Sequence, residues 1–70
     1  MIGWNDRYNW TREQVERTVI ARLERDGDNH VSLDVEHSSA SNIYDIIRWA
    51  EEMGYHATEN ERNETVRIWK

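Results

Sequence analysis

Cysteine, proline and phenylalanine are all missing from this chain of 70 residues, and glycine occurs only three times. Without cysteine there can be no disulfide, no thiolate metal ligand and no sulfur nucleophile. The absence fits a reducing compartment, and a cytoplasmic protein is expected. No apolar run approaches the ~20 residues that span a bilayer, and no stretch reads as a signal peptide. Three glycines leave no glycine-rich loop to cradle a phosphate, so the common modes of nucleotide binding are not expected. Positive charge is scarce as well. Nine basic residues, all but one of them arginine, face fourteen acidic ones, for a net charge of −5. Such a balance suits neither the phosphate backbone of nucleic acid nor an anionic membrane surface, and neither is expected as a partner.

What remains is a short chain with large aromatics. The hydrophobic share is 37%, below the ~45–50% of ordinary domains. Four tryptophans and three tyrosines offset this, each able to bury ~150–250 Å². Residues 1–70 are read as a single domain near the lower limit for independent folding.

Two helices are well signalled. The first is expected from about Thr11 to Arg25. Thr11 and Gln14 have the spacing of a capping box, and Trp10 and Val15 stand at the two positions of a hydrophobic staple. Val15, Val19, Ile20 and Leu23 make the apolar stripe, and Gly27 sits where a left-handed residue closes a helix. The second helix is expected from Ser41 to Met53, capped by Ser39 or Ser41. Its buried face is Ile43, Ile46, Ile47, Ala50 and Met53, with Trp49 on the flank and Gly54 as its stop.

Strands are read from alternation. In "HVSLDVE" Val31, Leu33 and Val35 alternate with Ser32, Asp34 and Glu36, giving one dry and one wet face. "YHAT" and "ETVRIW" form a closing hairpin around the polar turn "ENERN", with Val66 and Ile68 facing the core beside Tyr55 and Ala57. In "IGWNDRYNW" Ile2, Trp4, Tyr8 and Trp10 share parity, which predicts a short edge strand despite its Gly, Asn and Asp. The expected order is β-α-β-α-β-β, an α+β two-layer sandwich with a mixed four-stranded sheet and both helices on one face. The unit from Val31 to Thr58 is expected to be a right-handed parallel crossover.

This arrangement resembles the small TusA/SirA-like sulfur-carrier proteins. The shared features are the Gly27-Asp28 turn before a strand, the Asp45-Ile46 pair early in the second helix, the Gly54-Tyr55 pair after it, and a closing hairpin that ends in the basic "VRIWK". The resemblance covers about two-thirds of the chain and implies the same β-α-β-α-β-β fold. It does not carry the family's activity, which rests on a Cys-Pro-x-Pro motif at the mouth of the first helix. Trp10-Thr11-Arg12-Glu13 stands there instead, and with no thiol a persulfide cannot form. Only the scaffold is implied.

The remaining candidates for chemistry are sparse. "DGDNHVSLDVEH" clusters Asp26, Asp28 and His30, but a calcium loop of the EF-hand kind would need glycine where Val31 stands and glutamate where His37 stands. A turn that joins helix to strand explains the same residues. His30, His37 and His56 lack helical zinc spacing, so no metal and no cofactor is expected. Ser32, Ser38, Ser39 and Ser41 lie in no nucleophile elbow, and no catalytic residue is assigned. The surplus is aromatic. Trp4 and Trp69 either extend a thin core or mark a contact surface, and Trp69 shares its face with His56 and Arg67. The chain is therefore expected to be a non-enzymatic, protein-binding domain with Trp4, His56, Arg67 and Trp69 at the interface. It is expected to be a monomer, and Asp34 and Glu36 on the same face point to a basic partner. Strong caps without cysteine or proline equally suit a redesigned or artificial sequence whose only property is stable folding.

Overall fold

The computed structural model describes residues 9–70. The expected first strand, including Trp4, falls almost wholly outside the described residues. Chain order there is α1 (Arg12–Val19), a π-helical turn (Ile20–Arg25), β1 (His30–Asp34), α2 (Ala40–Glu52), β2 (His56–Asn60) and β3 (Thr65–Trp69).

Helix α1 starts as its sequence dictates. Thr11 Oγ1 accepts from the Gln14 amide at 3.2 Å, and Gln14 Oε1 accepts from the Thr11 amide at 3.0 Å. The two free amides are satisfied reciprocally, as a capping box requires. The helix then widens. The Asp26 amide returns to the Ala21 carbonyl, five residues back, at 3.0 Å, the spacing of a π-turn. Gly27 at φ 73° ends it. Val15, Val19 and Leu23 are buried, whereas Ile20 is 44% exposed. Ile20 lies about 100° of helical turn from Val19, so it leaves the apolar stripe it was expected to join.

Helix α2 is capped by Ser39, whose hydroxyl accepts from the Asn42 amide at 3.2 Å. It ends in a Schellman motif: the Tyr55 amide bonds to the Ala50 carbonyl and the Gly54 amide to the Glu51 carbonyl, both at 3.0 Å. Gly54 takes φ 93° there, a conformation that any Cβ would strain.

The sheet has three strands among the described residues, in the order β1-β3-β2, with antiparallel neighbours throughout. The expected mixed pairing is not found among these three strands. Strands β1 and β2 run parallel and are joined through α2, as expected of a crossover, but β3 is inserted between them. Hairpin return from β2 places β3 in the central position, so the parallel strands never pair directly.

The core lies between the sheet and both helices. Ile46 and Ala50 of α2 and Val15, Val19 and Leu23 from the first helical segment meet Val31, Leu33, Val35, Val66 and Ile68. Each fully buried Val, Leu or Ile contributes ~1.5–3 kcal/mol. Trp10, Ile43, Ile47, Trp49, Met53, Tyr55 and Ala57 pack around this centre. No helix among the described residues is long and apolar enough to cross a membrane.

Candidate functional site

With both helices on one face, the opposite face of the sheet carries the side chains of the other parity. Its register makes three cross-strand rows. His30, Trp69 and His56 form the first; Ser32, Arg67 and Thr58 the second; Asp34, Thr65 and Asn60 the third. Each row lists β1, then β3, then β2. Trp69 is thus flanked by a histidine on both sides, and Arg67 by two hydroxyls.

Trp69 is partly buried rather than exposed. Its ring centroid lies 5.7 Å from that of His56, with the planes tilted by 30°, within the range of favourable offset aromatic pairs. A concavity of about 330 Å³ opens beside it, lined by Asn29, His30, Thr58, Arg67 and Trp69. Arg67 has no hydrogen-bond or ion-pair partner among the described residues. Four other arginines are engaged, Arg12 with Glu16 and Glu52, Arg17 with Glu13, Arg22 with Asp28, and Arg48 with Asp45, whereas Arg25 and Arg62, like Arg67, have no partner among the described residues.

Three of the four residues expected at an interface, His56, Arg67 and Trp69, therefore share one face; Trp4 lies outside the described residues. His30 and Thr58 were missed as members of this group. Parity alone puts His30 on the wet face, but only the β1-β3 register sets it beside Trp69. Those strands are not joined by a hairpin, so no turn length reveals their alignment.

The acidic part of the face is smaller than strand alternation predicts. Strand β1 ends at Asp34, because the Asp34 carboxylate accepts from the Glu36 amide at 3.0 Å and turns the chain. Glu36 leaves the open face. It lines a second concavity of about 260 Å³ with Val35, Ser38, Ile43 and three further glutamates, Glu59, Glu61 and Glu64. The middle of the open face is held by Arg67, and Asp34, the one carboxylate among the described strand residues of that face, stands in the end row.

The "DGDNH" segment is a turn. The Asp28 amide bonds to the Arg22 carbonyl at 2.9 Å, and the Asp28 carboxylate lies 3.8 Å from the Arg22 guanidinium. No group of three or more His, Asp or Glu side chains among the described residues is placed to hold a metal ion.

A separate titratable cluster lies beyond the open face. The Tyr55 hydroxyl donates to Glu24 Oε2 at 2.5 Å, and Lys70 Nζ stands 3.5 Å from the same oxygen. The tyrosine bond first, and the lysine charge second, hold the Glu24 carboxyl below its usual range. The same bond to an anion, with burial, pushes the Tyr55 phenol up. This is a strut between the end of the first helical segment and the sheet.

Comparison with protein-family models, curated proteins and solved structures finds no match to this chain.

Proposed function

We propose that this is a non-catalytic protein-binding domain and that the open sheet face is its contact surface. The observation that carries the proposal lies on the outer face of the central strand. There a partly buried tryptophan stacks on a histidine, beside an arginine that has no partner among the described residues. Tryptophan and arginine are the side chains that most often dominate binding energy. A flat aromatic set in a concavity with hydrogen-bonding groups around it has the anatomy of an anchoring site. In this proposal the TusA/SirA resemblance concerns the scaffold alone, since the chain has no thiol to carry sulfur.

Site-specific photo-crosslinking in producing cells tests this. A photoreactive residue at Thr58, on the open face, should trap a discrete protein species. The same residue at Tyr44, 72% exposed on α2, should not. Trapping from Tyr44 and not from Thr58 would move the interface to the helical layer. A trapped species of twice the chain's own mass would make the contact a self-association.

A further inference from the structure

We infer that the open face takes an acidic protein segment, in which a carboxylate meets Arg67 while a neighbouring flat or apolar side chain lies on Trp69. This inference rests on the protein-binding reading and names the partner chemistry that the site selects.

The second row of the face carries the argument. Arg67 stands on the central strand between Ser32 and Thr58. A guanidinium offers a planar fork of donors matched to a carboxylate, and Thr58, which lines the same concavity, has a hydroxyl that can donate a further hydrogen bond to that anion. No carboxylate among the described residues engages Arg67, although acidic residues outnumber basic ones and Arg12, Arg17, Arg22 and Arg48 have each found one. Arg25 and Arg62 also lack a partner among these residues, but Arg67 alone of the three lines the concavity beside Trp69. The first row supplies the second contact. Trp69 and His30 line the same concavity as Arg67 and Thr58, so an anion bound at Arg67 places its neighbouring group against the indole. A concavity of about 330 Å³ lies at the lower end for sites that hold a small ligand. That suits two adjacent side chains better than a larger folded element.

The charge of the whole chain decides between the two classes of acidic ligand. At −5 the domain repels a polyanion along its whole length, which disfavours nucleic acid. It repels one side-chain carboxylate only weakly, because distant charges are screened over about 8 Å at physiological ionic strength. Asp34, the sole carboxylate among the strand residues of this face, is one residue pair further along β1 than Ser32, about 6–7 Å away. It disfavours a second acid at that end and so sets the direction in which a bound segment runs.

The test is a chemical-shift titration of the isotope-labelled chain with N-acetyl-Phe-Glu-amide, N-acetyl-Phe-Gln-amide and adenosine monophosphate. The glutamate peptide should move the signals of Asn29, His30, Thr58, Arg67 and the Trp69 indole. It should bind up to about fivefold tighter than the glutamine peptide, the most that a solvent-exposed ion pair contributes. Arg67→Gln should erase that preference. Trp69→Leu, which keeps an apolar contact with the sheet but removes the flat ring, should weaken both peptides alike. Equal binding of the two peptides would keep the surface and overturn the carboxylate. Binding of neither would overturn the surface as well. Tighter binding of adenosine monophosphate than of the acidic peptide would assign the concavity to nucleotides and overturn the inference.

Discussion

Asn42 is the one buried polar side chain among the described residues, at 6% exposure. Its amide clamps the entry to the first helix. Asn42 Oδ1 accepts from the Trp10 amide at 2.9 Å, and Asn42 Nδ2 donates to the Trp10 carbonyl at 2.8 Å. Asn42→Ala deletes both bonds and leaves two backbone groups of Trp10 facing a partly buried space. Each bond contributes about 1 kcal/mol net, so the loss should be about 2 kcal/mol. A domain of this size is stable by only ~4–10 kcal/mol, and the thermal midpoint should fall by about 8–16 °C. The helix cap is untouched, since Ser39 receives the backbone amide of residue 42 whatever its side chain. Asn42→Asp gives a sign as well as a size. The carboxylate can still accept from the Trp10 amide, but it cannot donate to the Trp10 carbonyl, and it faces that oxygen with a negative charge. Proximity to the helix start favours an anion by ~0.3–1 kcal/mol; an unsatisfied buried charge costs ~1–3 kcal/mol or more, and the cost wins. The introduced carboxyl is then raised in the folded state above its unfolded value. The folded form binds more protons, so the variant should gain stability as pH falls through the raised folded value towards ~3.9. Urea unfolding followed by tryptophan fluorescence at several pH values reads both effects. Asn42→Ala within 0.5 kcal/mol of the unchanged protein, a threshold of about half a hydrogen bond, would refute the clamp. An Asn42→Asp variant that lost stability on acidification relative to the unchanged protein would refute its polarity.

Trp10 is half-buried and its indole also donates to the Asp34 carbonyl at 2.8 Å. Trp10→Ala should therefore cost about 2–4 kcal/mol, less than the ~3–5 kcal/mol of a fully buried tryptophan, whereas Thr11→Ala should cost only ~0.5–2 kcal/mol; equal urea midpoints for the two would sink the ranking. Glu64 closes the β2-β3 turn at φ 55°, where a side chain carries a penalty of ~1–2 kcal/mol. Glu64→Gly should raise the thermal midpoint, and a fall would mean that the Glu64 side chain stabilises the turn by more than its strain. In the Tyr55–Glu24 pair, the lowered Glu24 carboxyl contributes stability above pH ~4.5, lost as pH falls through the folded value. The raised Tyr55 phenol contributes stability below pH ~10, lost as pH rises through its folded value. Tyr55→Phe should flatten the alkaline loss and weaken the acid one in a melting-temperature series across pH; superimposable profiles would mean that the strut does not hold in solution.

Local signals in the sequence account for most of the elements. The Thr11–Gln14 box, the Ser39 cap, and Gly27 and Gly54 each act over three to six residues, a range in which spacing alone sets the geometry. The dry faces of β1 and β3 follow from alternation for the same reason. Where these local rules met a competing interaction, they failed. Helical spacing put Ile20 with the core, but it stands about 100° of helical turn from Val19, and the stripe that packs on the sheet is too narrow to include it. Strand parity carried Glu36 onto the open face, until the Asp34 side chain bent the chain away. Asn42 fell inside the expected second helix without a role, because nothing near it in sequence shows that Trp10, 32 residues earlier, supplies both of its partners.

The candidate site divides in the same way. That Trp69, Arg67 and His56 share a face was legible from parity, since each strand places alternate side chains on opposite sides. That β3 lies between β1 and β2, that Trp69 falls between two histidines, and that Arg67 rather than an acid occupies the centre depend on pairing between strands far apart in the chain. Such pairing is chosen by the fit of the whole core against two helices. A shift of one residue would turn every side chain of a strand to the other face, so burial of Val31, Leu33, Val66 and Ile68 selects one parity for β1 against β3. Only the packed structure could make that selection, because its energy belongs to all four side chains at once and to no segment alone.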